Sequence, residues 1–378
     1  MSEPINFFSL EPEKYFSPPS TWDKTRIRDA ILQRIESDNY LASEKIDGNW
    51  SRFVRQGDVC KQQTRSISVK TGTYGESQDK IPFIFNFLKT ITTGDTILLG
   101  ELHTVSRNIN DVKSILGAGV SKALARQEKD ENKLRFYIFD ILYYNGDSLM
   151  GVPFKDRAKV LTRVIKPKVA QNPFIHVAEF TEGIHALARL DEVLFYGGEG
   201  IVLQRKDGLP EPGKRTAWKT IKMKKEMERD IDVFMLRALP PTREYNGVYL
   251  DTWPFWEDAR TGEKLALVNQ NASLKAYHTG APVEPVSKNY YYGWPSAIEC
   301  GVYDATGKVW TLCAIAGLTD TIKQDIAENP KKYERRAMTI TGMEFTDDYS
   351  VRHPRFLGFR DDINDKDCTW EKIFDVDF

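Results

Sequence analysis

The chain lacks clustered cysteine, a long apolar run and an excess of charge of either sign. Its four cysteines, Cys60, Cys300, Cys313 and Cys368, lie far apart and form no Cys-x-x-Cys pair. That spacing excludes a zinc ribbon and a disulfide framework and leaves reduced thiols in a cytoplasm as the simplest reading. No stretch approaches the roughly 20 apolar residues of a spanning helix, so no membrane partner is expected. The opening residues, with Glu3, Glu11 and Glu13 and no apolar core, are not expected to act as a signal peptide. The formal net charge of -1 lacks the basic excess common among nucleic-acid binders. There is no internal repeat and no low-complexity segment. What is present is a chain of 378 residues, 41% hydrophobic and 28% charged, long enough for two packed domains.

Overall balance hides local clustering. Lys206, Lys214, Arg215, Lys219, Lys222, Lys224 and Lys225 crowd one short region, which is either a solvated face or a phosphate-binding surface. Helix and strand signals alternate up to about residue 230. Ile84, Phe87, Leu88 and Ile91 after Pro82, and Ala158, Leu161 and Ile165, recur at helical spacing. Apolar runs bounded by Gly, Asn or Asp predict strands at 96–105, 135–144 and 200–205. Beyond residue 230, Pro240-Pro241, Asn246-Gly247, Thr261-Gly262 and Thr306-Gly307 punctuate short aromatic or β-branched runs, with one helix near 321–328. The fold class expected is α+β: a domain over 1–229 with antiparallel sheets and flanking helices, then a small β-barrel over 230–378 with an insertion at about 251–293.

The chemistry begins at Ser43-Glu44-Lys45-Ile46-Asp47-Gly48. In an extended segment Lys45 and Asp47 project from one face, and Gly48 allows a sharp turn after them. A cation and a carboxylate then share a site, although a surface salt bridge beside a turn would look the same. Downstream come Gly100-Glu101-Leu102, Phe139-Asp140-Ile141-Leu142, Glu199-Gly200-Ile201-Val202-Leu203 and Trp218-Lys219-Thr220-Ile221-Lys222-Met223-Lys224. Lys222 and Lys224, two apart, face the same side of a strand.

These segments, in this order and at these intervals, resemble the motif series of the covalent nucleotidyltransferase superfamily of DNA ligases, RNA ligases and capping enzymes. Arg352-His353-Pro354-Arg355-Phe356, then Phe359-Arg360-Asp361-Asp362 and Asp367-Cys368-Thr369-Trp370-Glu371, resemble the closing motif of ATP-dependent DNA ligases. The resemblance spans nearly the whole chain. It implies an adenylation (nucleotidyltransferase) domain followed by a C-terminal OB-fold β-barrel, in a compact, monomeric ligase of viral or bacterial type without a separate N-terminal DNA-binding domain. The expected setting is the cytoplasm of a bacterium or of a virus-infected host cell. Such an enzyme would serve DNA repair, replication and recombination by sealing nicked double-stranded DNA.

The resemblance also implies roles. Lys45 would take AMP from ATP as a covalent lysyl-AMP, with Mg²⁺ or Mn²⁺ as cofactor. A free lysine has a pKa near 10.4, so only about one side chain in a few thousand is neutral at pH 7 and activation is required. Burial and the cations of Lys222 and Lys224 would supply it and would also hold the α-phosphate. Asp47 would orient the nucleophile, Glu44 would contact the nucleotide, Phe139 would stack on adenine, and Arg360 would serve the nucleotide from the second domain. Glu101 and Glu199 would bind nucleotide and metal. Arg65, in Thr64-Arg65-Ser66, together with Arg52 and Arg215, would bind nucleic acid. The Trp- and Tyr-rich stretch from Thr252 to Tyr292, with Lys264, Lys275 and Lys288, reads either as a clamp around DNA or as an insertion packed on its own domain.

Two positions depart from the family pattern. Trp50 stands where an arginine follows the motif glycine, with Arg52 or Arg65 as the compensating cation, and Ile363 stands where a lysine closes the last motif, with Lys366 as its substitute. An RNA ligase, or a relative that binds nucleic acid with weakened catalysis, would share much of the pattern. The scattered cysteines argue against a NAD-dependent ligase, and the closing segment fits a capping enzyme poorly.

Overall fold

Alternation along each strand decides which side chains reach a core and which face a cleft. The computed structural model describes the chain except at residues 1–4, 17, 19–21, 23, 69–70, 107–108, 225–229, 248, 305, 347 and 375–378. Lys225 of the basic run therefore lies outside the described residues. The chain divides into two units, Met1–Lys224 and Lys225–Phe378.

The first unit carries two antiparallel sheets. The smaller orders its four strands Thr220–Lys224, Gly200–Arg205, Tyr40–Glu44 and Thr181–Glu182. The larger, of seven strands, places Asn49–Gln56, Thr96–His103 and Arg135–Tyr144 side by side, with Ile175–Val177 added in parallel. In Arg135–Tyr144, Phe136 and Ile138 are fully buried while Tyr137 and Phe139 are half-buried on the opposite face. Leu98 and Leu102 join the same core, and Leu99 and Glu101 alternate away from it. The helix Pro82–Ile91 covers that core with Ile84 and Leu88; its proline sits where a missing N–H costs nothing. In the smaller sheet Ala42, Ile201, Leu203 and Ile221 point to a separate core closed by Ala186 and Val193 of the helix Ala186–Phe195. The expected helices and strands are present, with the first long strand ending at His103 rather than residue 105.

The second unit is built on five antiparallel strands in the order Val309–Ile315, Ala297–Tyr303, Ile231–Leu239, Ala337–Thr341 and Arg355–Phe359. The helix Asp320–Glu328, capped by the Thr319 hydroxyl, falls between the third and fourth of these in chain order. This is the OB-fold arrangement. Among the described residues Val309–Ile315 and Arg355–Phe359 form the two edges of this sheet, in keeping with the partly open barrel of an OB-fold. Between the first and second strands the chain forms a small lobe, with Trp256–Asp258 paired to Val283–Pro285 and the helices Gln270–His278 and Lys288–Tyr292. Its aromatics pack on one another: Tyr245 stacks on Trp253 at 3.8 Å, Tyr292 on Trp294 at 4.5 Å, and Trp256 is buried.

Candidate active site

One cavity of the first unit lies where the non-core faces of its two sheets meet. Ser43, Val202, Gln204, Thr220 and Lys222 line it from the smaller sheet, and Leu99, Glu101, Tyr137 and Phe139 from the larger. Glu44, Lys45, Ile46 and Trp50 line the crossover between them, and the space, about 140 Å³, suits a single ring system. Close backbone approaches make this meeting possible. A side chain at Gly48 would come within 2.3 Å of the Leu102 carbonyl oxygen and 2.8 Å of Glu101 Cγ. Gly200, with φ +141°, passes so near the Thr220–Lys224 strand that a Cβ would lie 2.0 Å from the Met223 carbonyl oxygen. The Gly200 carbonyl then accepts from the Lys45 N–H at 2.8 Å, which fixes the start of the Lys45 segment against Glu199.

Glu199 is the charge centre. One carboxylate oxygen accepts from Lys45 Nζ and the other pairs with Lys224 Nζ at 2.8 Å; the Glu199 side chain is only 3% exposed. Burial works against its ionised form, but the two ammonium groups overrule it and hold its pKa below the ordinary value. Glu101 goes the other way. Burial, reinforced by the carboxylates of Glu199 and Asp47 and opposed by Lys45 and Lys222, pushes its pKa up to about 8. Lys222 is lowered to about 8 by burial and by the positive charges of Lys45 and Lys224. Its Nζ lies 3.5 Å from the centre of the Tyr15 ring.

The expected residues Glu44, Lys45, Glu101, Phe139, Lys222 and Arg65 thus line one cavity; Glu199 joins it through Lys45, and Lys224 through Glu199. Asp47 stands close enough to influence the charge on Glu101. Arg360 belongs to the second unit, where its guanidinium binds Asp362 through Nε at 2.6 Å and Asp232 through Nη1 at 3.2 Å, so any contact with a nucleotide would compete with those carboxylates. Ile363 packs on the core of that unit.

Arg52 requires correction as a nucleic-acid contact. It is buried, donating from Nε to Gln63 Oε1 at 3.0 Å, from Nη1 to the Leu10 carbonyl at 2.5 Å and from Nη2 to the Phe8 carbonyl at 3.1 Å. Burial lowers its pKa to about 10, and the group acts as a brace for the N-terminal segment. The basic run is also mostly consumed internally. Lys206 pairs with Asp38 and Glu182, and Lys219 with Glu13 and Glu211. Lys214, Arg215 and Lys224 are the exposed members, and of these Lys224 pairs with Glu199. Arg65 lines the cavity while its Nη2 donates to the Glu13 carbonyl at 2.9 Å. Trp50 lines the cavity in place of the family arginine. Sequence reasoning missed Tyr15, Glu13 and Tyr137: the first two stand in a segment without a motif, and Tyr137 was visible only as the residue two before Phe139 on the same strand face.

The model of the ATP dependent DNA ligase domain matches residues 23–224, more than half of the chain. The chain belongs to the ATP-dependent DNA ligase family. It is 30% identical over 191 residues to a DNA ligase of Methanoculleus marisnigri, covering 49% of this chain and 32% of that relative. It is 26% identical over 230 residues to DNA ligase 4 of Coprinopsis cinerea, covering 58% of this chain and 22% of that relative. The chain therefore spans about a third or less of either relative's own length. In fold it is similar to a Lig E DNA ligase, with a TM-score of 0.53 and 17% identity over 93% of this chain and 98% of that one. It is also similar to Pmar-Lig_Pre, with a TM-score of 0.52 and 16% identity over 85% of this chain and 63% of that one. These likenesses agree with a nucleotidyltransferase unit followed by an OB-fold unit in this ligase family.

Proposed function

We propose that this ATP-dependent DNA ligase family member seals 5′-phosphate/3′-hydroxyl nicks in duplex DNA through a Lys45-AMP adduct. The observation that carries the reading is Lys45 Nζ on Glu199 in a cavity that also holds Lys222, Glu101 and Phe139. In the first step the Lys45 amine attacks the α-phosphorus of ATP; the N–P bond forms as the bond to pyrophosphate breaks. Glu199 already accepts from Nζ and is the group at hand to receive its proton. Lys222 faces the charge that builds on the phosphoryl oxygens. A 5′-phosphate oxygen of the nick then displaces the lysine from AMP. The 3′-hydroxyl finally attacks that phosphate and releases AMP. Holding both strand ends in line supplies on the order of 7–11 kcal/mol of barrier reduction, so most of the remaining work is alignment.

The donor set fits a divalent cation in one way. Among the described residues no group of three or more His, Cys, Asp or Glu side chains forms a dedicated metal cage. Mg²⁺ commonly binds through one or two carboxylates together with substrate phosphates, and Glu101 and Glu199 suit an ion carried in on the triphosphate. When bound, it would neutralise phosphate charge and orient the leaving group.

Three measurements bear on this reading. A panel of labelled nicked duplexes, all-DNA, mixed and all-RNA, offered with ATP, GTP or NAD, should yield sealed product with all-DNA nicks and ATP; sealing confined to RNA would overturn the assignment. ATP binding should take up protons at about pH 9, because a triphosphate favours the charged form of Lys222, whose pKa lies near 8 in the free protein. Calorimetry in buffers of different ionisation enthalpy should find less uptake in Lys222→Met, and equal uptake would contradict the role given to Lys222. Third, deletion of residues 251–293 should weaken nick binding while leaving adduct formation intact if that lobe clamps DNA. Two of the lobe's lysines are already paired, Lys264 with buried Glu257, which Arg243 also binds, and Lys288 with Asp320 of the helix Asp320–Glu328. Unchanged nick affinity after the deletion would assign it to packing alone.

A further inference from the structure

The three lysines of the site are held in two different ways. Lys45 and Lys224 both end on the Glu199 carboxylate. Lys222, among the described residues, has no carboxylate at ion-pair distance and instead rests over the face of Tyr15, 3.5 Å from its ring centre. A carboxylate orients an ammonium by neutralising it; an aromatic face orients it and leaves its charge for another anion.

Tyr15 is itself firmly fixed. The segment that carries it crosses the cavity wall with the Phe8 and Leu10 carbonyls bound by Arg52. The Glu13 carbonyl is bound by Arg65, and the Glu13 carboxylate pairs with Lys219 at 2.5 Å. The Lys14 N–H donates to the Lys214 carbonyl at 2.9 Å. Arg65 also lies 5.2 Å from the Tyr15 ring centre. Two of the three arginines expected to bind nucleic acid, Arg52 and Arg65, therefore brace the segment bearing this ring.

We propose that Tyr15 is a positioning residue for adenylyl transfer: its ring holds the Lys222 ammonium, still charged, at the cavity wall where the α-phosphate arrives. The proposal rests on the function given above. A lysine side chain has many rotamers to give up when it is ordered. Confining it against a rigid ring before the nucleotide binds removes part of that cost from the chemical step. The contact requires an aromatic face and does not require the hydroxyl.

The experiment is single-turnover formation of the AMP adduct by the full chain with saturating ATP and Mg²⁺. Tyr15→Leu should slow adduct formation about tenfold, with its thermal unfolding midpoint close to wild type, while Tyr15→Phe and Tyr15→Trp keep most of the rate. In a Lys222→Met background, Tyr15→Leu should add little further loss, because ring and ammonium act as one unit. If the leucine variant folds poorly, Tyr15→Met asks the same question. Equal rates in wild type and Tyr15→Leu, equal losses in the Phe and Leu variants, or losses that multiply with Lys222→Met would overturn the proposal. A wild-type chain that takes up no AMP overturns the parent reading and this one together; a wild-type adduct with an unaffected leucine variant overturns this one alone.

Discussion

Lys45→Ala is expected to abolish ATP-dependent nick sealing, by at least about 10⁴-fold, the scale on which loss of a covalent nucleophile is felt. The same variant should seal a nick that already carries AMP on its 5′-phosphate with a loss of no more than about tenfold. The contrast follows from the chemistry. In the proposed route Lys45 accepts AMP and hands it on, whereas the final attack of the 3′-hydroxyl displaces AMP from the nick itself. Glu199 and Lys224 remain paired without Lys45, so the cavity keeps much of its charge arrangement. Gel assays on the two substrates check this directly. Comparable loss on both would mean that Lys45 is a structural charge and that the covalent route is wrong.

The largest effect on stability is expected at Arg157→Ala. Arg157 forms a two-pronged pair with Asp140, Nε to Oδ1 and Nη2 to Oδ2, each at 2.8 Å, with both side chains nearly inaccessible. Its Nη1 also donates to the carbonyls of Val152 at 2.7 Å and Gly208 at 3.0 Å. Removing the guanidinium leaves a carboxylate in the interior without its cation, and truncations of this kind cost about 3–5 kcal/mol. Chemical denaturation of Arg157→Ala should show a loss of that size in the first unit. A double replacement, Asp140→Asn with Arg157→Met, should recover part of it, since no bare charge is then buried. A loss below about 1 kcal/mol in the single variant, the usual range of a surface pair, would contradict the burial argument.

Asp140 illustrates what the sequence conveyed and what it did not. Its neighbour Phe139, like Glu101 and Lys222, was singled out by motif order, and all three line the cavity. Asp140 sits in the same motif, yet its partner Arg157 is supplied by a later helix, Phe154–Val160, and no local spacing announces that pairing. Arg52 failed for the same reason. Alternation put it on the face of Trp50, but its guanidinium is taken up by carbonyls of Phe8 and Leu10, in a segment whose path only tertiary structure reveals. The basic run misled through composition, because a row of lysines reads alike whether it meets phosphate or the carboxylates of Asp38, Glu182, Glu13 and Glu211. In the second unit Pro240-Pro241 and Thr306-Gly307 fell at strand ends, after Leu239 and between Tyr303 and Val309. They did not indicate that the aromatic residues of the lobe spend their surface on each other, with Trp256 only 1% exposed.

The pKa pattern gives these placements their chemical meaning. Glu199 is held ionised by two lysines, Glu101 is pushed toward its protonated form, and Lys222 is poised near 8. Neighbouring acids and bases driven apart in this way are a common mark of a working site. Here they surround one amine. The most direct measurement is therefore the mass of the intact chain after incubation with ATP and Mg²⁺, followed by peptide mapping of any adduct. The account predicts a gain of one AMP, located on Lys45; no gain, or AMP on another residue, would contradict it.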